Sequence, residues 1–144
     1  MVTHISKTPD QTCKLGEILG RTLRKGDVVG LIGDLGFGKT QFVKGIALGL
    51  GIQGRIHSPT FTLVNEYGPE ENKLFHLDLY RLENEDQILS AGLEQYMFNV
   101  EGVTVIEWFE RWGSALPTPE HGWIIRFDAI SEFERVLSYE AIGA

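Results

Sequence analysis

Apolar residues recur along the chain with two different periods, and the switches between them mark the elements. Leu15, Ile18, Leu19 and Leu23 are spaced three and four apart, as on one face of a helix. Thr8-Pro9-Asp10-Gln11 supplies its start, with a hydroxyl cap, a proline at the first helical position and a glutamine that completes a capping box. Gly26 is the expected stop. Asp27-Val28-Val29-Gly30-Leu31-Ile32 is then a short apolar run of buried-strand length. Phe42, Val43, Ile46, Ala47 and Leu50 return to the helical period, and Gly51 can cap that helix. Thr60–Tyr67 and Lys73–Tyr80 read as strands, and the turn-rich Gly68–Asn72 between them predicts a hairpin. Glu83–Ala91 and Leu93–Phe98 read as short helices or turns. Val103–Ile106 is a second buried strand that runs into Glu107-Trp108, and Trp123–Phe127 with Arg135–Tyr139 predicts a closing antiparallel pair.

Strands alternating with helices imply a three-layer α/β fold, and the hairpins imply a mixed, mainly parallel central sheet. At 144 residues and 42% hydrophobic content, residues 1–144 are expected to form a single domain with one packed core. The loop Ala115–Glu120 is too short to separate domains. No run of about 18 apolar residues offers a membrane span, and Met1–Lys14 lacks the apolar core of a secretion signal. A single cysteine, Cys13, cannot form an internal disulfide, which fits a reducing cytoplasm. The net charge of -7 argues against a broad basic surface that grips nucleic acid unaided. A partner could supply such a surface.

The densest chemical signal is GDLGFGKT, Gly33 to Thr40. Its spacing, G-x-x-x-x-G-K-T, is that of a phosphate-binding loop. Glycines let successive N–H groups of Gly33, Asp34, Leu35, Gly36, Phe37 and Gly38 turn inward as an anion nest. The helix that follows adds its free N–H groups and positive dipole end. Lys39 is placed to reach the β and γ phosphates, and the Thr40 hydroxyl to bind a magnesium ion. The strand before and the helix after give this motif its confirming context, and with it the expectation of a P-loop NTPase fold.

Such a loop works with a carboxylate at the end of a neighbouring strand. In LFHLDLYRL, Phe75, Leu77 and Leu79 fall on one strand face and His76, Asp78 and Tyr80 on the other. That second face fits either a site or an ordinary solvated surface. Glu107 closes a buried strand at the edge where α/β folds bind ligands, and it also fits a plain strand-end polar residue. Trp108, Phe109 and Trp112 stand at helical spacing and read as core, with Glu110 and Arg111 as a solvated pair. Ser58-Pro59-Thr60 fits a nucleotide switch, where Thr60 contacts magnesium or the γ phosphate, or a simple turn into a strand. His57 and His76 are not spaced as a metal pair, and His4 and His121 show no evident partners.

GDLGFGKT, SPTFTLVNEY, HLDLYRL and IEWFER, in this order and at these distances, resemble the TsaE (YjeE) family. The resemblance is strong from Gly26 to Arg111 and weak elsewhere, and Phe37 stands where the family carries alanine. It implies a cytoplasmic ATPase, using ATP and Mg2+, required for threonylcarbamoyladenosine in tRNA. Such a protein acts with the TsaB–TsaD complex, meets tRNA through that complex, contacts no membrane, and is a monomer or weakly self-associating. Carried over motif by motif, Lys39 and Thr40 serve phosphate and magnesium. Asp78 and Glu107 are the acidic residues near magnesium and the attacking water. Thr60 belongs to the switch segment, and Trp108 lies near the nucleotide. Two rivals weaken against the residues, and a third stays open. A small-molecule kinase needs an arginine-bearing lid, and only Arg55, Arg81 and Arg111 are placed for one. A GTPase carries Asn-Lys-x-Asp, whereas Asn72-Lys73-Leu74-Phe75 lacks the aspartate. A module that uses ATP only to set its shape differs from an ATPase in releasing no phosphate over repeated turnovers.

Overall fold

The computed structural model describes residues 2–33, 36–54, 56, 63–97, 101–113, 118–132 and 134–142. In chain order the elements are β1 (Val2–Ser6), α1 (Pro9–Gly20), β2 (Val28–Ile32), α2 (Gly36–Gly49), β3 (Val64–Tyr67) and β4 (Lys73–Asp78). They continue with α3 (Glu85–Ser90), a 3-10 turn (Leu93–Met97), β5 (Gly102–Glu107), a second 3-10 turn (Phe109–Arg111), β6 (Gly122–Ala129) and β7 (Arg135–Ile142). The strands form one sheet in the order β1-β7-β6-β2-β5-β4-β3. Its middle, β6-β2-β5-β4, is parallel. Antiparallel pairs close both sides: β3 on β4, and β7 on β6 with β1 beyond.

Strand alternation divides the core into two layers. Val29, Leu31, Leu74, Val103, Val105, Ile125 and Phe127 face α1 and α2. Val28, Phe75, Leu77 and Ile106 face α3 and the first 3-10 turn through Ile88, Leu93 and Met97. The middle strands are covered on both sides, which is why β2 and β5 read as continuous apolar runs rather than alternating ones. Tyr139 packs into the first layer, edge-on to Phe42 and Trp123, and burial holds its phenol above the usual tyrosine range.

Two glycine pairs decide how α2 sits. Gly16 and Gly20 of α1 lie against Gly45 and Gly49 of α2, so the two backbones touch. A Cβ at Gly16 would strike the Phe42 carbonyl, and one at Gly45 the Cys13 carbonyl. This crossing fixes the helix that carries Lys39 and Thr40.

The start of α1 follows its capping residues. The Thr8 hydroxyl accepts from the Gln11 N–H at 3.1 Å, and the Gln11 side chain accepts from the Lys7 N–H at 2.7 Å. The helix does not run on towards Gly26. It ends at Gly20, where the Arg21 N–H reaches the Glu17 and Leu19 carbonyls and the Thr22 hydroxyl takes Leu19 again. Gly26 serves the next turn, at φ 93°, with its N–H on Gly102. In the predicted hairpin, β3 begins at Val64 and β4 stops at Asp78; residues 60–62 lie outside the described residues. The closing strands are longer than their apolar runs. β1 is an unpredicted strand, and register with β7 explains it: Val2 lies opposite Tyr139 and Ser6 opposite Arg135.

Candidate functional site

The loop begins where β2 ends. Gly33 takes φ 121°, in the region L side chains avoid, and a Cβ there would lie 2.7 Å from the Phe127 carbonyl oxygen. α2 then starts at Gly36, inside the motif. Asp34 and Leu35 lie outside the described residues, as does the side chain of Phe37. Gly38 is buried and Thr40 half-buried in the first turns of α2. Lys39 is fully buried, its Nζ donating to the Gly33 carbonyl. The same ammonium lies 4.6 Å from the centroid of the Trp108 ring. A buried cation needs such company, and an indole face contributes on the order of 0.5–2 kcal/mol.

The acidic residues stand one and two strands away. Leu31, Glu107 and Asp78 lie side by side in register across β2, β5 and β4. All three share the sheet face that α2 covers, at the carboxyl ends of parallel strands, the edge where such sheets bind ligands. Asp78 is 3% exposed and Glu107 4%. Asp78 Oδ1 accepts from the Tyr80 N–H at 2.9 Å. Glu107 Oε2 lies 2.5 Å from His76 Nε2, and His76 is fully buried. The solvated-face reading of this stretch therefore fails for His76 and Asp78. It holds for Tyr80, which lies past the strand end, exposed, with its ring 5.2 Å from Trp108.

Trp108 turns the chain out of β5. It adopts φ 60°, ψ 40°, a left-handed geometry that costs a non-glycine residue about 1–2 kcal/mol. The turn seats the indole against Lys39 and brings the Arg111 guanidinium to 5.2 Å from the ring centroid. The helical spacing of Trp108, Phe109 and Trp112 thus reflects one short 3-10 turn, with the three rings packed at the border of the second core layer. Glu110 is exposed, as read, and Arg111 half-buried, but each bonds elsewhere rather than to the other. The Gly33 N–H donates to Glu110 Oε2 at 3.3 Å, and Arg111 Nη1 donates to the Leu82 carbonyl at 2.8 Å. Sequence reading missed these two roles and the His76–Glu107 contact. The alternation that placed His76 beside Asp78 carried a signal for the last, and nothing local marked the others. Thr60 lies outside the described residues.

Among the described residues no group of three or more His, Cys, Asp or Glu side chains could hold a metal by itself. The oxygen donors near the loop, Thr40, Asp78 and Glu107, suit a hard cation that takes one or two protein ligands and completes its shell with phosphate and water. The donor set fits magnesium and not a dedicated protein cage.

The sheet order, the glycine loop running into α2 and the buried lysine define the P-loop NTPase fold. The crystal structure of Bacillus subtilis YdiB shares it, with a TM-score of 0.77 and 31% identity, covering 99% of this chain and 86% of that one. The chain belongs to the TsaE family: residues 6–136 match the family described as threonylcarbamoyl adenosine biosynthesis protein TsaE. Relatives named "tRNA threonylcarbamoyladenosine biosynthesis protein TsaE" bear this out. That of Nostoc sp. is 50% identical over 71% of this chain, and the match spans 64% of its own length, just under two thirds. That of Bacillus subtilis is 38% identical over 94% of this chain and 82% of its own length. That of Treponema pallidum is 46% identical over 78% and 82%.

Proposed function

We propose that this chain is a cytoplasmic P-loop ATPase that acts with the TsaB–TsaD complex in the threonylcarbamoyladenosine modification of tRNA next to the anticodon. One observation carries the ATPase reading. Two buried carboxylates, Glu107 and Asp78, stand at the carboxyl ends of β5 and β4 on the sheet face that α2 covers, and the buried Lys39 stands in the first turns of α2, just after the end of β2. Family membership and the names of its relatives support the tRNA pathway.

In this reading the loop N–H groups and Lys39 bind the β and γ phosphates. The Thr40 hydroxyl and Asp78 hold magnesium or its water. When bound, the ion supplies charge neutralisation at the phosphate oxygens. Glu107 orients the attacking water, and its burial keeps bulk water from competing for the carboxylate. Thr60 belongs to the switch segment, and Trp108 packs beside the nucleotide. The net charge of -7 leaves tRNA contact to the partner complex, with this chain a monomer or weakly self-associating.

The test is phosphate release over many turnovers, with and without TsaB–TsaD and tRNA. Glu107→Gln keeps the size of the side chain and removes its charge. It is expected to bind ATP while hydrolysis falls by about 10² or more. Normal turnover by that variant would return Glu107 to a plain strand-end residue. No turnover by the unaltered chain under any condition would remove the ATPase reading and leave a nucleotide-binding module.

A further inference from the structure

The contact between His76 and Glu107 is the most enclosed polar pair beside the loop. His76 is fully buried in β4, Glu107 is nearly so in β5, and Nε2 and Oε2 are 2.5 Å apart. His76 lies in register with Val105, and Glu107 with Asp78, so the two side chains meet diagonally across the β4–β5 pair. The other ring nitrogen, Nδ1, is also buried and has no hydrogen-bond partner among the described residues. A buried N–H without an acceptor is costlier than a bare acceptor nitrogen, so the ring proton belongs on Nε2. There it donates to the Glu107 carboxylate.

We propose that His76 is a positioning residue for Glu107. The donated bond engages Oε2 and holds the carboxylate in one orientation, leaving Oε1 as the oxygen that faces the chemistry. A carboxylate buried without this bond can rotate about its terminal torsion, which has broad wells, and a small misplacement of a reacting group can cost up to about a hundredfold in rate. This role rests on the ATPase reading for its effect on turnover, but the proton's location does not.

Two measurements test it. In a chain with 15N-labelled histidine, long-range 1H–15N correlation reads which ring nitrogen carries the proton. His76 is identified among the four histidines by the signal that His76→Gln removes. The expected result is a bare Nδ1, a protonated Nε2, and an Nε2 signal that shifts in Glu107→Gln. A bare Nε2 overturns the proposal. The second measurement is kinetic, with the partner complex present. His76→Leu keeps an apolar filler without the donor, whereas His76→Gln keeps an N–H near the Nε2 position. The leucine variant is expected to lose about tenfold or more in kcat, the scale for removing a supporting hydrogen bond, with KM for ATP unchanged. The glutamine variant should recover most of that loss. Equal losses in the two variants would mean that His76 only fills space, and full activity in the leucine variant would mean that Glu107 holds itself. If the unaltered chain releases no phosphate, the ATPase reading fails and the spectrum alone decides the His76 assignment.

Discussion

Lys39 holds a charge where almost no water reaches it, so its surroundings decide what the ammonium can do. Its bond to the Gly33 carbonyl and its seat on Trp108 keep Nζ at the mouth of the loop. Lys39→Ala removes the charge that would meet the phosphates. Charged hydrogen bonds are worth about 1.5–3 kcal/mol, so affinity for a non-hydrolysable ATP analogue should fall roughly ten- to a hundredfold. Calorimetric titration checks this, with thermal unfolding as the control for the hole left by a buried side chain. Unchanged affinity would remove the phosphate assignment. Lys39, Asp78 and Glu107 were legible in the chain because a motif and a strand end mark them. The contacts that surround them were not. His76 and Glu107 are 31 residues apart, and Gly33 and Glu110 are 77 apart. Strand register sets the first contact and the turn after β5 sets the second, and local pattern records neither.

At the scale of elements, sequence patterns gave the strands and helices more reliably than their ends. α2 was legible from its apolar period, yet it begins inside the glycine loop, where spacing alone reads only flexibility. β4 stops at Asp78 because Asp78 takes the Tyr80 N–H and starts a turn, a bond that hydrophobic alternation does not announce. By propensity alone the glycines of α1 and α2 weaken their helices, since alanine is preferred to glycine in a helix by about 1 kcal/mol. Their contact reverses the sign. In Gly45→Ala the new methyl meets the Cys13 carbonyl, so the helices must part. Overpacking of this kind costs about 1–3 kcal/mol, more than the propensity gain. Urea unfolding should show a lower midpoint for Gly45→Ala than for the unaltered chain. A higher midpoint would mean that the crossing yields easily and that the glycines are not required by it.

The whole molecule carries its phosphate-loop motif at one edge of the sheet, and in the proposed reading it works through the TsaB–TsaD complex. If ATP favours the form that docks on TsaB–TsaD, linkage requires the complex to tighten ATP binding by the same factor. Measured with Glu107→Gln so that binding alone is read, the coupling should be about 1–3 kcal/mol. Equal ATP affinity with and without the complex would exclude a nucleotide switch even if hydrolysis is real. The three-layer architecture was legible because alternating periods and a phosphate loop constrain it strongly. The outer strand β1 was not, because its five residues carry little apolar pattern and depend on a distant partner. That dependence has a consequence in time. Val2 lies opposite Tyr139, so β1 has no partner until a strand synthesised more than a hundred residues later has folded beside it. Closing so long a loop is entropically slow. The parallel centre can therefore assemble, and the loop helix dock on it, while β1 still waits in water. Until β7 docks, Leu137 and Tyr139 are missing from the first layer and the β6 edge stays open, a target for proteases and for unwanted strand partners.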